Sequence, residues 1–161
     1  MAAPTPTSRN LRVPDGSKLT DGKTSFIIIG AGSSYRDIAF WEESVQPPGY
    51  DGGEPIQTGD MFNSVYHTKQ PQKLINGTAM RVTANYDPAF INDIIAAIND
   101  NTTITHHWPD LSSYAFYGFL RSVEFQELRN GQQPKCTLVI EQTNTDPSDG
   151  SEAGGVYTEP A

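Results

Sequence analysis

Apolar and polar side chains alternate through much of the middle of the chain, which is the pattern of β-strands with one buried face. Residues 79–86 alternate most regularly and set four apolar positions on one side: Met80, Val82, Ala84 and Tyr86. The run TSFIIIG at 24–30 is instead continuously apolar and β-branched and ends in glycine, which is typical of a strand buried on both faces. Both segments are therefore predicted to be strands.

Further strands are predicted on either side of these. Residues 36–46 read as a strand that stops at Pro47-Pro48, and residues 61–69 alternate until Pro71 ends them. Residues 114–128 and 135–143 flank Asn130-Gly131, a pair that accepts positive φ readily. These last two segments are predicted to form a hairpin.

One segment has the periodicity of a helix. Asp87 is placed to cap it and Pro88 suits its first position, so a helix is predicted over residues 88–99. Five apolar residues recur at helical spacing and are expected to pack on a sheet: Phe90, Ile91, Ile94, Ile95 and Ile98. An isolated helix this short is marginal in water, so the residues predict a β-sandwich or small barrel with one flanking helix.

The chain divides into three parts by composition. Residues 1–23 are rich in Pro, Thr, Ser, Asp and Gly and are predicted to be an extended N-terminal arm. Residues 24–143 hold the apolar segments and form the predicted domain. Residues 144–161 are again polar and Gly/Pro-rich, and we expect a C-terminal tail that is solvated or laid on a partner.

The connection at 46–60 is unusual because about fifteen residues without a structural pattern are uncommon inside a compact domain. It carries the apolar residues Tyr50 and Ile56, for which a solvated linker has little use. The segment is therefore predicted to be a protruding binding loop. Its residues of interest are Pro47, Pro48, Tyr50, Asp51, Glu54, Ile56 and Asp60.

Composition excludes several classes of protein. The 161 residues suit one domain, and 11 Lys and Arg against 19 Asp and Glu give a net charge of -8, which disfavours adhesion to nucleic acid or anionic membranes. A single cysteine, Cys136, forms no internal disulfide, and no Cys or His spacing suits a metal. The longest aliphatic stretch, at 26–29, is far too short to span a membrane. Because the first residues lack a basic start followed by an apolar run, we expect no export signal.

No catalytic or cofactor-binding residues are predicted. The sequence Gly30-Ala31-Gly32 lacks the third glycine and the helix of a dinucleotide site. Adjacent His106 and His107 point to opposite faces of an extended backbone, so they do not readily share a metal. The carboxylate pairs at 42–43 and 124/127 carry no glycosidase signature, and the aromatic residues at 114–125 are expected in the core. We therefore predict that the protein is not an enzyme and needs neither cofactor nor metal.

The order of several short segments resembles the major tail tube protein of long-tailed, siphovirus-type bacteriophages. The resemblance covers about residues 24–147 and rests on FWEESVQPPGYDGGEPIQTGDMFNSVYHTKQPQKL, NYDPAFINDIIAAIN and the closing TNTDP. It implies two antiparallel sheets packed face to face, one flanking helix, and a long loop that reaches the neighbouring ring. It also implies hexameric rings, stacked into a tube that conducts DNA out of the capsid.

The resemblance further implies the partners and the location of the chain. The partners are other copies of itself and the tape measure, terminator and distal tail proteins, while double-stranded DNA passes without specific binding and no membrane is involved. The location is the virion tail, assembled in the host cytoplasm. A tail terminator or other connector-ring protein, and a stand-alone carbohydrate-binding β-sandwich, are the alternatives.

The lining of the implied channel involves two acids. A hairpin of residues 37–45 and 61–69 would line it, and adjacent Glu42 and Glu43 point to opposite sheet faces, so both are candidate lumen-facing acids of which only one faces the channel. The other is expected at a subunit boundary near a base such as Lys69, Lys73 or Arg81.

Overall fold

The computed structural model describes residues 26–29, 41–86, 88 and 91–160. The predicted N-terminal arm, residues 30–40 and Phe90 lie outside them. The larger strands are β1 (Phe26–Ile29), β2 (Trp41–Gln46), β7 (Met80–Asn85), β8 (Thr102–His107), β9 (Ser113–Phe125) and β10 (Lys135–Gln142). The shorter strands are β3 (Tyr50–Asp51), β4 (Ile56–Gln57), β5 (Lys69–Gln70), β6 (Asn76–Gly77) and β11 (Val156–Thr158), and helix α1 spans Ile91–Ala96.

Seven of these strands form one antiparallel sheet in the order β1-β8-β9-β10-β7-β2, with β11 paired to the beginning of β9. The remaining four short strands form two separate pairs, β3 with β6 and β4 with β5. A mainly antiparallel β fold with little helix is thus confirmed. Its division into two facing sheets stays a prediction.

The sheet buries one face. Alternate residues of β7, β8, β9 and β10 point to the same side because side chains on a strand have a period of two. The hydrophobic core consists of Ile27, Ile29, Met80, Val82, Ala84, Ile94, Ala97, Ile104, Tyr114, Phe116, Leu120, Cys136, Leu138 and Ile140. The predicted alternation of residues 79–86 is confirmed, although Tyr86 is exposed.

The sheet is curled, and the strands at its two ends approach each other. The backbone N–H of Ile27 in β1 donates to Glu42 Oε1 in β2 across 3.2 Å. Five strand pairings separate these two strands in the sheet order. A flat sheet of this width would hold them far apart, since neighbouring strands are spaced by about 4.8 Å.

Helix α1 is shorter than the predicted helix at 88–99 and packs with fewer residues. Ile94 is buried, and Ile91 and Ile98 pack partly against the core. Ile95 is 54% exposed, so its predicted packing on the sheet is wrong within this chain. The helix ends at Ala96, and the chain turns away at Asn99, which takes a left-handed conformation with φ 62°. So short a helix buries only a narrow stripe.

The hairpin of β9 and β10 is confirmed, with Gly131 in its connection at φ 81°. The predicted strand at 61–69 is wrong, since only Lys69 of that range is in a strand. The reason is local: Asp60 Oδ1 accepts the Phe62 N–H at 2.9 Å, and the Asn63 side chain donates to the Tyr66 carbonyl at 2.8 Å. Polar side chains that bond to nearby backbone stabilise turns against strands.

The pairing of the implied channel hairpin is also wrong. Strand β2 pairs with β7 and not with residues 61–69. The C-terminal segment is not a free tail either, because β11 pairs with Ser113–Ala115 of the sheet. Asp146 stabilises a turn in the segment that leads to β11, because its carboxylate accepts the Ser148 N–H at 2.8 Å.

Candidate assembly surface

A long two-stranded ribbon projects from the end of β2 and returns to the start of β7. We call residues 47–79 the ribbon. Its outgoing strand pairs with its returning strand at two places, Tyr50–Asp51 with Asn76–Gly77 and Ile56–Gln57 with Lys69–Gln70. Thr58 N donates to the Thr68 carbonyl at 2.9 Å and closes the outer pairing. The ten residues from 49 to 58 span roughly 30 Å when extended.

The predicted loop at 46–60 is therefore only half of the projecting element. The returning half, residues 69–79, carries no strong strand pattern, and its pairing is interrupted where Pro55 and Pro71 remove backbone donors. The signal that could have found it is weak. The threonines at 58 and 68 and the two Pro positions are spaced almost symmetrically about the turn at 60–66.

Tyr50 anchors the base of the ribbon to its own domain. Its phenol oxygen accepts the Gly155 N–H at 2.9 Å, lies 3.0 Å from Gln142 Nε2, and forms a short hydrogen bond with the Tyr114 hydroxyl. The two tyrosine rings also meet edge to face, with centroids 6.4 Å apart. Tyr50 was predicted as an anchor for a partner, and half of its surface is committed within the chain instead.

Burial and hydrogen bonding shift the pKa values of the two phenols of this cluster in opposite directions. Desolvation raises the pKa of Tyr114, and the hydrogen bond to Tyr50 raises it further. The pKa of Tyr50 is lowered: burial acts to raise it, but the hydrogen bonds from Tyr114, Gly155 and Gln142 favour the phenolate. The cluster joins the ribbon, the centre of the sheet and the C-terminal segment at one point.

The tip of the ribbon presents large apolar side chains to solvent. Met61 and Phe62 are 95% and 90% exposed, and Val65 and Tyr66 are almost as open. Leu74 and Ile75 on the returning strand are exposed as well. Contiguous exposed apolar residues of this size mark interaction surfaces in soluble proteins.

The other predicted loop residues lie along the outgoing strand. Ile56 is 54% exposed, and Glu54 points to solvent. Asp51 Oδ1 accepts the Gly53 N–H at 2.9 Å, and Asp60 holds the tip turn, so these two acids shape the backbone as well as carrying charge. Pro47 and Pro48 lead out of the sheet, with Pro48 half-buried. Tyr50 thus fixes the base of the ribbon to its own domain, whereas Ile56 stays exposed on the outgoing strand.

The two candidate lumen-facing acids differ in their burial and in their hydrogen-bond partners. Glu42 is paired with buried Ala84, so it shares the core face and is half-buried there. Glu43 sits at a bulge of β2, is exposed, and forms an ion pair of 2.6 Å with Lys135. Within the chain the base beside Glu43 is thus Lys135, and the expected contact of the other acid with Lys69, Lys73 or Arg81 at a subunit boundary stays a prediction.

The histidine pair is split as predicted, with His106 in the core and His107 only half-buried. Burial lowers the pKa of His106 to about 4, and the neighbouring His107 adds to the effect. Its ring packs edge to face on Trp108 at 4.5 Å. Within the described ranges, no group of three or more His, Cys, Asp or Glu is placed to hold a metal. Nor is any helix in the described part of the chain long and apolar enough to cross a membrane.

Solved structures share this fold. A chain in the tail of an empty gene transfer agent particle, refined helically with C6 symmetry, aligns with 88% of this chain and 100% of its own length at TM-score 0.62 and 9% identity. A chain of the PVC sheath-tube complex, an extracellular contractile injection system in its extended state, aligns over 97% and 99% at TM-score 0.58 and 13% identity. A chain of the anti-feeding prophage baseplate covers 74% and 87% at TM-score 0.54 and 12% identity.

These similarities cover nearly the whole of each matched chain, so the shared unit is the complete fold and not a fragment. At such low identities they show the fold alone. No model of a protein family matches the sequence, and no curated protein matches it.

Proposed function

We propose that this chain is a structural subunit of a phage-like tail, of the major tail tube type. Six copies form a ring, the rings stack into a tube, and DNA passes through the tube on its way out of the particle. The observation that carries the proposal is the ribbon: a projecting element of more than thirty residues whose apolar tip has no partner within the described part of its own chain.

The ribbon suits a contact between rings. It extends well beyond the sheet from which it starts, and its base is fixed by Tyr50, so the tip is presented in a defined direction at low entropic cost. Burial of Phe62 and Met61 against a neighbouring ring would contribute about 1.5 to 3 kcal/mol for each side chain. Ile56 extends the same apolar surface along the outgoing strand.

The shared fold supports a tail role for the rest of the molecule. The three matched chains come from a gene transfer agent tail, a sheath-tube complex and a baseplate, and the first was refined with six-fold symmetry. A six-membered ring is thus the assembly we assign to this chain. Its natural partners are then further copies of itself and the proteins at the two ends of a tail.

An acidic chain suits a DNA conduit. With a net charge of -8, six copies in a ring repel phosphates, and a genome can slide without adhering. Glu43 is the stronger candidate for the channel, because Glu42 is engaged with β1 on the core face.

The test is negative-stain microscopy of the purified chain across concentration, alone and with tail initiator proteins added. Tubes of stacked six-fold rings are expected for the wild type. The variant Met61→Ser/Phe62→Ser should keep its melting temperature, because both side chains are exposed, yet form no stacks. Leu128→Ser is the control, as it removes an exposed apolar side chain in the connection between β9 and β10, away from the ribbon.

Three outcomes contradict parts of the proposal. Single rings that never stack would identify a terminator or connector-ring protein instead. A permanent monomer would exclude a tail subunit and leave a stand-alone binding module. Normal tubes from the tip variant would mean that the ribbon tip does not join the rings.

A further inference from the structure

The two strands of the ribbon carry charges of opposite sign. Every acid of the ribbon lies on the outgoing side, at Asp51, Glu54 and Asp60. Both of its lysines, Lys69 and Lys73, lie on the returning side, which holds no acid from residue 61 to residue 79. All five residues are exposed.

These charges form no ion pairs with one another within the ribbon. Neighbouring strands of opposite charge could pair across the ladder, where directly opposed side chains lie about 5 Å apart. Within residues 41–86, however, no ion pair joins the outgoing strand to the returning strand. The ladder places Lys69 opposite Gln57 and Asp51 opposite Asn76, and Glu54 and Lys73 lie between the two paired segments, where the strands are not laddered.

A ribbon with one acidic and one basic edge is complementary to itself. When copies stand side by side with the same orientation, the acidic edge of one faces the basic edge of the next. Such a head-to-tail contact is heterologous, and a heterologous contact closes into a ring when its rotation permits. The opposite arrangement, about a two-fold axis, brings like charges together and is disfavoured.

We propose that the ribbon edges form a second assembly surface, whose partner is the ribbon of an adjacent copy in the same ring. The surface deepens the proposed function, on which it rests, by giving the ribbon two tasks. Its apolar tip contacts the next ring, and its charged edges set the order of subunits within a ring.

The test is a pair of charge variants, each of which should associate weakly with itself but should associate with the other when the two are mixed. Lys69→Glu/Lys73→Glu makes both edges acidic. Asp51→Asn/Glu54→Lys/Asp60→Asn makes the outgoing edge basic, while each Asn keeps the side-chain oxygen that accepts the turn N–H. Each variant alone should self-associate at least about tenfold more weakly than the wild type in sedimentation velocity, because like charges then meet at every contact.

The equimolar mixture should recover association, since acidic and basic copies can alternate around a ring with an even number of members. Wild-type association should also weaken as salt is raised from about 0.05 to 0.5 M, where the Debye length falls well below 10 Å. Arg121→Glu/Arg129→Glu, which reverses two exposed charges outside the ribbon, is the matched control for the double lysine variant and should associate normally.

The outcomes separate this inference from the proposed function. Tubes of wild-type strength from both charge variants would overturn the edge contact and leave the tube subunit in place. Failure of the mixture to recover association, with both variants folded, would overturn it as well. A wild-type chain that stays monomeric at every concentration and salt would overturn both.

Discussion

The backbone N–H of Ile27 donates to the Glu42 carboxylate at 3.2 Å, although β1 and β2 are the two end strands of the six-strand path. End strands leave backbone groups unpaired, which exposes a protein to edge-to-edge aggregation. Here the Glu42 side chain bridges the gap between β1 and β2, which we call the seam. The contact joins the two ends of the curled sheet, whose buried face carries the hydrophobic core.

The first prediction concerns this seam. Glu42→Ala should lower the free energy of unfolding by about 1 to 3 kcal/mol, because it leaves a part-buried N–H without its charged acceptor. Glu42→Gln, which keeps an acceptor oxygen, should recover part of the loss. Urea unfolding of the monomer measures both. Glu43→Ala is the control and should cost less than about 1 kcal/mol, since its pair with Lys135 is exposed. Equal losses for Glu42→Ala and Glu43→Ala would show that the seam contact does not stabilise the fold.

The second prediction separates two adjacent isoleucines of helix α1. Ile94 is 4% exposed, so Ile94→Asp buries an unpaired carboxylate and should cost several kcal/mol of stability. Ile95 is largely exposed, so Ile95→Asp should change stability by less than about 1 kcal/mol. Thermal melts of both variants in the monomeric state decide the point. A greater loss from the Ile95 variant would place the buried face of the helix on the other side.

The third prediction is a pH dependence that comes from His106. Because burial lowers its pKa from 6.5 to about 4, the unfolded chain binds the proton more tightly between these two values. Stability from this group is complete above pH 6.5 and falls by about 3 kcal/mol as the pH drops to 4. His107, whose pKa burial also lowers, adds to the fall.

The measurement is the free energy of unfolding at pH 4 to 7, with fluorescence of Trp108 as a probe beside His106. His106→Leu should flatten most of the slope in this window. His67→Asn, at an exposed position on the ribbon, should leave it unchanged. A slope that survives in the His106 variant would assign the acid sensitivity to other groups.

The fourth prediction tests the hydroxyl cluster at the base of the ribbon. Tyr50→Phe removes the oxygen that holds Gly155 and Gln142, and keeps the ring against Tyr114. The backbone amides of the β3–β6 pairing and of Gly155 should exchange with deuterium several-fold faster. The free energy of unfolding of the whole domain should fall by only about 1 to 2 kcal/mol. Tyr66→Phe, at the exposed tip, is the control. Unchanged exchange in the Tyr50 variant would mean that the ladder alone fixes the ribbon.

Much of the sheet could be predicted from the sequence because its signals are local. Alternation in residues 79–86 reflects the period of a strand whose one face is buried, and Asn130-Gly131 supplies the turn that a hairpin needs. The continuous β-branched run at 26–29, ended by a glycine, is a further local signal and identified β1. A protruding element after Pro47-Pro48 was also predicted from its length and its apolar residues alone.

Only the tertiary structure decided which segments pair and where the side chains point. The choice of β7 as the partner of β2, and the 3.2 Å contact between Ile27 and Glu42, depend on residues far apart in the chain, and local patterns carry no information on such pairings. The same holds for Tyr50, whose position suggested a partner's anchor until the fold placed Gly155 beside it. Ile95 has the right spacing for a core helix, but the helix ends within two turns and leaves it in solvent. Periodicity fixes what a segment can bury, and the surface offered by the rest of the chain decides what it does bury.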